Sequence, residues 1–490
     1  MTKKVLVVGG GITGLSAAFS LQQAKDKGAD IDYLLVEKEP KLGGKIITDT
    51  IDGFVIEGGP DCFMAEKPSV LQLTKQLGIA DKLLPSNESS AGTFIFSAGK
   101  LQKLPDGLML LVPNKFWPFI TSPLISWAGK LRMGMDFFIP KKQDKTDETL
   151  GGFVKRRLGQ EALDKIGEPM IGGIHGGNPD NMSLQASFPR FMKMEDDYGS
   201  LAIAMIVARY KMSRAKAKDQ KSQANKPKPT GKTKSSYFMS YNGGMYDLIE
   251  GIYAKLQSNC VLTGTSVESL EKVSNEDTST KYLVKLSNQQ TIEFDAVILA
   301  NPSDVSAMLL KEIDSDISEN LLKIPLGSSA CISLVYKRSD VPNKLTGFGF
   351  VIPFVEGRKI NAVTYTSMKW DCRVPDEDHI MIRSFVGKPQ NQAPALQSEG
   401  DIETNVRAEL KEILGITAKP LVTKVHKWTN GRPQYILGHL ERMQVVENKL
   451  KKYHSGLVLA GACYHGIGVP DCVADGIKSA ESTLDFLKLK

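Results

Sequence analysis

The chain has no CxxC pair, and its six cysteines stand apart at positions 62, 260, 331, 372, 463 and 472. None of them forms a zinc-ligand spacing with a histidine, so a dithiol reductase and a structural zinc module are excluded. Isolated thiols point to a reducing, cytoplasmic compartment. No apolar run reaches the ~18 residues of a membrane-spanning helix. The nearest, 108–128, is broken by three prolines and a lysine. It reads as the wall of a greasy pocket, a patch resting on the inner face of the cell membrane, or plain core. There is no G-x-S-x-G elbow, Walker loop or HExxH helix, which argues against the common hydrolase, P-loop and zinc-protease chemistries. The amino terminus, MTKKVLVVGGG, opens directly on a strand and reads as carrying no signal peptide.

Acidic charge is scarce in one place. Residues 211–236 hold nine Lys or Arg against the single acid Asp219, a local balance of +8 in a chain whose formal net charge is +7. The remainder is close to neutral. The segment is also rich in Ser, Pro and Gln, so it reads as a solvated, flexible loop. Basic arms bind phosphates, but no aromatic residue is interleaved with these lysines, and no nucleic-acid partner is expected. Across 490 residues, 41% are hydrophobic and 24% charged. This is the balance of a soluble globular protein of about two to four domains.

Glycine is plentiful and concentrated in loops. Residues 4–8 (KVLVV) form a short apolar run ending at Gly9-Gly10-Gly11-Ile12-Thr13-Gly14, and a helical stretch follows from Ile12. A second apolar strand, YLLVE, ends at Glu37, 23 residues beyond Gly14. A strand, G-x-G-x-x-G, a helix, and an acid about 20 residues on make the dinucleotide fingerprint. Gly9 permits the tight turn, Gly11 the approach of a pyrophosphate, and Gly14 close packing of the helix on the strand. The helix N-terminus offers unpaired N–H groups and partial positive charge. Glu37 suits a ribose.

Two further glycine loops, Gly43-Gly44-Lys45 and Glu57-Gly58-Gly59-Pro60-Asp61, exceed what a nicotinamide dinucleotide needs. They suit the long ribityl chain of FAD. Near the carboxyl end, the strand GLVLAGA is followed by Cys463-Tyr464-His465-Gly466-Ile467-Gly468-Val469-Pro470-Asp471 and a helix. That second helix N-terminus would face the flavin ring and favour its reduced, negatively charged form. No second G-x-G-x-x-G stands in strand–helix context, so electrons should leave to dioxygen or an external acceptor. The six histidines are scattered; His175 and His465 lie in glycine-rich loops and are the better pocket candidates.

These strands lie at both ends of the chain and near 297. The fold expected is α/β: a discontinuous Rossmann-like FAD-binding domain with an inserted β-rich substrate domain and a helical domain. The expected boundaries are 1–85 for the first FAD-binding part and 86–210 for the helical, membrane-associating domain. The basic loop follows at 211–236, the second FAD-binding part at 237–300, the substrate domain at 301–425 and the last FAD-binding part at 426–490.

Several segments carry a family resemblance: VVGGGITGLSAAF (7–19), VEKEPKLGGKI (36–46), EGGPDCF (57–63), EPMIGGIHGGNPDNMSLQASFP (168–189), NGGMYDLI (242–249), RPQYILGHLERM (432–443) and GACYHGIGVPDC (461–472). The chain resembles the FAD-dependent protoporphyrinogen oxidases of the flavin amine-oxidase superfamily, above all the Gram-positive bacterial type that forms coproporphyrin III. The resemblance covers essentially the whole chain. It implies FAD contacts at the Gly9–Gly14 loop, Glu37, Lys38, Lys45 and Gly59, Pro60, Asp61 and Cys62. It adds a backbone contact from Val267 to adenine, and Trp428, Ile467, Gly468 and Val469 near the flavin. Two departures stand out: the loop expected as GIYAGD reads GIHGGN, and lysines occupy positions 41 and 45, where arginine is common. Lysine keeps the charge and loses the bidentate fork.

The implied reaction is six-electron oxidation of coproporphyrinogen III in three hydride transfers to flavin N5, with O2 reduced to H2O2 in haem biosynthesis. The cofactor carries the chemistry, so no acid–base catalyst is named. Lys67 is the candidate partner for a substrate carboxylate, and His175 a candidate pocket residue. Protoporphyrinogen IX as substrate, another flavin oxidase or desaturase, and a non-catalytic FAD- or porphyrin-binding protein stay open as alternatives.

Overall fold

Short apolar strands that lack alternation must be covered on both faces, and this decides the first layer. The computed structural model describes residues 2–105, 108–109, 111–113, 116–223, 236–273, 281–342 and 345–489. Lys3–Val8 lies at the centre of a five-stranded parallel sheet, in the order Val261–Leu262, Ile31–Val36, Lys3–Val8, Ala296–Leu299, Leu457–Leu459. Val5, Leu6, Val7 and Ala296 to Leu299 are all fully buried. One face packs under the helices Ile12–Asp26 and Val469–Phe486. The other face meets a second core closed by the three-stranded antiparallel sheet Val267–Val273, Lys281–Leu286, Thr291–Phe294. The strands of this layer come from three distant parts of the chain, as the Rossmann-like reading requires.

The second large layer is a seven-stranded sheet. Its order is Val422–Pro433, Leu326–Lys337, His379–Val386, Ile360–Tyr365, Gly349–Val351, Thr93–Ser97, Lys100–Lys103. Helix Glu399–Leu414 covers one face through Ile402, Val406 and Leu410. A third, helical region spans Phe116 to Gln223 and has its own core around Phe153, Ile166 and Leu184.

Three features differ from the sequence-based expectation. The hairpin Thr93–Ser97 and Lys100–Lys103, read as part of the helical segment 86–210, joins the seven-stranded sheet, where Thr93 to Ile95 pair in parallel with Gly349 to Val351. The strand Val422–Pro433 crosses the expected boundary at 426 as one element paired with Leu326–Lys337. Sheet membership is decided by long-range pairing, which local periodicity does not reveal. The basic stretch read as a loop from 211 begins instead as the end of helix Leu201–Gln223, because Ala, Lys, Arg and Gln are strong helix formers. Its positions 224–235 lie outside the described residues. Among the described residues, no helix is long and apolar enough to cross a membrane.

Candidate active site

The turn after the first strand is shaped by backbone touching backbone. Gly9 has φ of +110°, and a methyl group there would lie 2.7 Å from the Ala300 carbonyl oxygen. A methyl at Gly14 would overlap the Gly9 carbonyl oxygen, so the helix can begin this close to the strand only with glycine. A methyl at Gly11 would meet nothing within 4 Å, so that side opens on space. No side chain caps this helix N-terminus, so its first N–H groups have no side-chain partner. Glu37, at the end of the next strand, accepts from the Gly10 and Glu39 N–H groups at 2.6 and 2.8 Å. Its carboxylate is thereby fixed beside the turn. Val267 opens its strand two residues after Thr265, whose N–H donates to the Glu37 carbonyl at 3.0 Å.

The helix Val469–Phe486 brings a second uncapped N-terminus, with Gly468 as its cap residue and Pro470 in its first turn. A methyl at Gly476 would overlap the Thr13 carbonyl oxygen, so the two helices touch near their starts. Gly461, at φ of +118°, donates its N–H to Asp475 at 2.6 Å and secures the loop between strand and helix. Ile467 and Gly468 lie in the loop that leads into this helix, and Val469 opens it.

The loop Glu57 to Cys62 forms a third wall. A methyl at Gly59 would overlap the Lys45 carbonyl oxygen, so this loop and the Gly43–Lys45 loop run in contact. The seven-stranded sheet grips it at successive positions. Trp428 Nε1 donates to the Gly58 carbonyl at 2.8 Å, and Arg383 donates to the Gly59 carbonyl at 2.6 Å. Asp61 accepts from Lys369 Nζ at 2.9 Å and Trp370 Nε1 at 3.0 Å. Burial alone would raise the Asp61 carboxyl, but Lys369, Arg383 and Trp370 hold it well below the usual carboxylate range. Burial and the neighbouring Asp61 push the Cys62 thiol up to about 12. Cys331 lies beneath Gly58; burial would raise its thiol, yet Arg383 and His426 bring it down to about 7. These four groups escape sequence inspection because no motif surrounds them: Arg383 and Cys331 stand in ordinary strands, and Lys369 and Trp370 at the end of a short helix.

Lys45 is accessible yet ringed by protein, as befits a side chain facing an interior cleft, and burial depresses its ammonium. Two other candidates behave differently. Lys38 is exposed and pairs with Glu39 at 3.6 Å. Lys67 donates to both oxygens of Asp471 at 2.6 and 2.7 Å. Its charge is paired at the first turn of the closing helix. His175 ends helix Glu168–His175, and its side chain lies outside the described residues.

His465 sits between two carboxylates, Nε2 to Glu447 and Nδ1 to Asp475, each at 2.8 Å. Burial would lower its pKa, but these partners raise it to about 9. Asp475 is also the acceptor that secures Gly461, so the imidazolium braces the loop ahead of the closing helix.

Two outcomes follow from this geometry. Gly14→Ala forces the first helix off its strand, an overpacking of roughly 1–3 kcal/mol, and FAD retention should fall about tenfold or more, read from visible flavin absorbance after gel filtration. His465 has a folded pKa above its ordinary value of 6.5, so its contribution to stability is complete below that pH and lost as pH rises through about 9. The side chain is 36% exposed, and solvent screening reduces the effect. Melting temperature should fall between these pH values by about 1–2 °C more in the native chain than in His465→Gln; equal slopes would remove the assignment.

The signature of the flavin-containing amine oxidoreductases matches residues 12–484. A coproporphyrinogen III oxidase of Bacillus subtilis is 32% identical, over 99% of this chain and 98% of that protein. A protoporphyrinogen oxidase of Arabidopsis thaliana is 26% identical over 99% of this chain and 94% of its own length. A solved structure from Exiguobacterium sp., assigned as a protoporphyrinogen oxidase, superposes with a TM-score of 0.83 at 30% identity, covering 100% of this chain and 99% of that one. With its glycine-lined cleft and its full-length likeness to these proteins, the chain belongs to the flavin-containing amine oxidoreductase family.

Proposed function

We propose that the protein oxidises coproporphyrinogen III to coproporphyrin III with FAD. The observation that carries this reading is the whole-chain similarity to coproporphyrinogen III oxidases, which spans the seven-stranded and helical regions as well as the coenzyme cleft. Identity to the protoporphyrinogen oxidase of Arabidopsis thaliana is lower, at 26%.

The residues fit FAD. Gly11 leaves room for a pyrophosphate at an uncapped helix N-terminus, Glu37 would accept from a ribose, and Lys45 is an accessible cation beside Gly44. When bound, the flavin supplies the hydride-accepting ring, and dioxygen is the expected final oxidant. The protein binds, orients and excludes water; the loop Gly58 to Asp61, clamped by Arg383, Trp428 and Lys369, fixes the wall against which the ring would rest. No side chain is assigned as an acid–base catalyst. Lys67 holds Asp471 at the start of the closing helix.

The overall change removes six hydrogens from the macrocycle and reduces three O2 to three H2O2. Aerobic incubation with coproporphyrinogen III should release fluorescent coproporphyrin with about three peroxides per macrocycle, faster than with protoporphyrinogen IX. Fluorescence rising no faster than in enzyme-free controls would overturn the proposal.

The helical region also offers a lipid-facing surface. Trp117, Trp127, Leu131 and Phe138 are 75, 68, 73 and 85% exposed, and Lys130 Nζ lies 4.5 Å from the Trp127 ring centre. Exposed aromatics beside a lysine suit the boundary of a bilayer, and the reading includes peripheral contact there. The native chain should sediment with anionic phosphatidylglycerol vesicles and Trp127→Ser/Phe138→Ser should not; equal sedimentation of both would remove this contact.

A further inference from the structure

Charges in the interior of this protein are mostly answered by the chain itself, though Arg442, on helix His439–Tyr453, leaves Nη1 without a partner among the described residues. Arg383 is spent on the Gly59 carbonyl, Lys369 on Asp61, Arg373 on Glu57 and Ser240, and Lys388 on the Ile352 carbonyl. Lys45 and Arg432 have no such partner among the described residues. Lys45 stands on the coenzyme loop beside Gly44 and is accounted for by FAD. Arg432 is not.

Arg432 lies near the end of the strand Val422–Pro433, paired with Gly327. Its guanidinium is laid flat on the turn that ends helix Glu168–His175. A methyl at Gly176 would overlap it and lie 2.9 Å from its Cδ. Gly176 has φ of +60°, and its carbonyl accepts from Gln434 at 3.1 Å, so the surface under the guanidinium is rigid. Around it stand Cys331, Arg383 and Lys45, which leave the locality positive, and burial depresses the guanidinium. It nevertheless retains partial access to solvent. A guanidinium with neither carboxylate nor carbonyl among the described residues to receive its five donors is costly to bury unless a ligand completes it.

We propose that Arg432 receives one propionate carboxylate of the tetrapyrrole in a two-point contact, and that it favours macrocycles carrying a carboxylate at that edge. This rests on the substrate reading above. Three observations place the contact on the substrate side: the residue belongs to the seven-stranded sheet, it packs on the helical region, and it is absent from the glycine loops that frame FAD. A planar guanidinium matches a carboxylate fork in a way an ammonium does not. Coproporphyrinogen III has four propionates and protoporphyrinogen IX two, so the contact would discriminate between them.

The test uses FAD-loaded native protein, Arg432→Met and Arg432→Lys. Three quantities are read: kcat and KM for coproporphyrinogen III, the Kd of coproporphyrin III by fluorescence with its salt dependence, and the flavin spectrum with FAD content. Arg432→Met should raise KM and Kd about 10- to 100-fold, leave kcat within about threefold, keep the flavin spectrum and lose the salt dependence. Arg432→Lys should recover part of the affinity, and Arg432→Gln replaces the methionine variant if that one is insoluble. Unchanged KM and Kd, with the native protein active, would overturn the assignment and leave the substrate reading standing. An altered flavin spectrum or FAD content with unchanged KM would give the guanidinium to the coenzyme and overturn it equally. A native protein that neither oxidises coproporphyrinogen III nor binds coproporphyrin III would remove the substrate reading itself.

Discussion

Two contacts between backbones decide where this protein can hold a ligand. Gly14 rests on the Gly9 carbonyl, and Gly476 rests on the Thr13 carbonyl. Each lets a helix approach its neighbour to a distance that any side chain would forbid. Together they bring two helices with uncapped N-termini side by side, each with unpaired N–H groups and the positive end of a helix dipole. A phosphate-bearing coenzyme answers that arrangement directly. The parallel sheet, buried on both faces, supplies the rigidity that keeps those two contacts in register.

The second organising element is the strip from Glu57 to Asp61. It belongs to the coenzyme layer by sequence, yet Trp428 and Arg383 of the other large sheet hydrogen-bond to it, as do Lys369 and Trp370 at the end of helix Thr366–Lys369. Glu57 itself is buried and fixed by Met245 N–H at 2.7 Å and Thr48 at 2.7 Å. The loop therefore couples the layer that grips FAD to the layer that frames the substrate.

Much of this was legible in the amino-acid order. The G-x-G-x-x-G turn, Glu37, the paired glycine loops and the Gly468 helix start can be read because their chemistry needs particular residues at fixed local spacing. The parallel sheet followed from apolar runs without alternation. What could not be read depends on distant partners. Thr93–Ser97 looks like any short strand until Gly349–Val351 pairs with it. Lys67 looks like a free cation until Asp471, 404 residues away, occupies it. Arg432 lies within a segment that carried the family likeness, yet its unpaired state emerges only when Gly176 and the neighbouring cations are placed around it. Ala-, Lys- and Gln-rich composition allowed both loop and helix for 211–223, and helix prevailed.

The most direct measurement is an anaerobic titration of the purified FAD-loaded protein with coproporphyrinogen III, followed through visible flavin absorbance. Six electrons leave each macrocycle and two enter each flavin, so bleaching should be complete near about one third of an equivalent per FAD, with coproporphyrin fluorescence appearing in step. A flavin that stays oxidised under excess coproporphyrinogen III, or a colourless protein that cannot be loaded with FAD, would contradict the account.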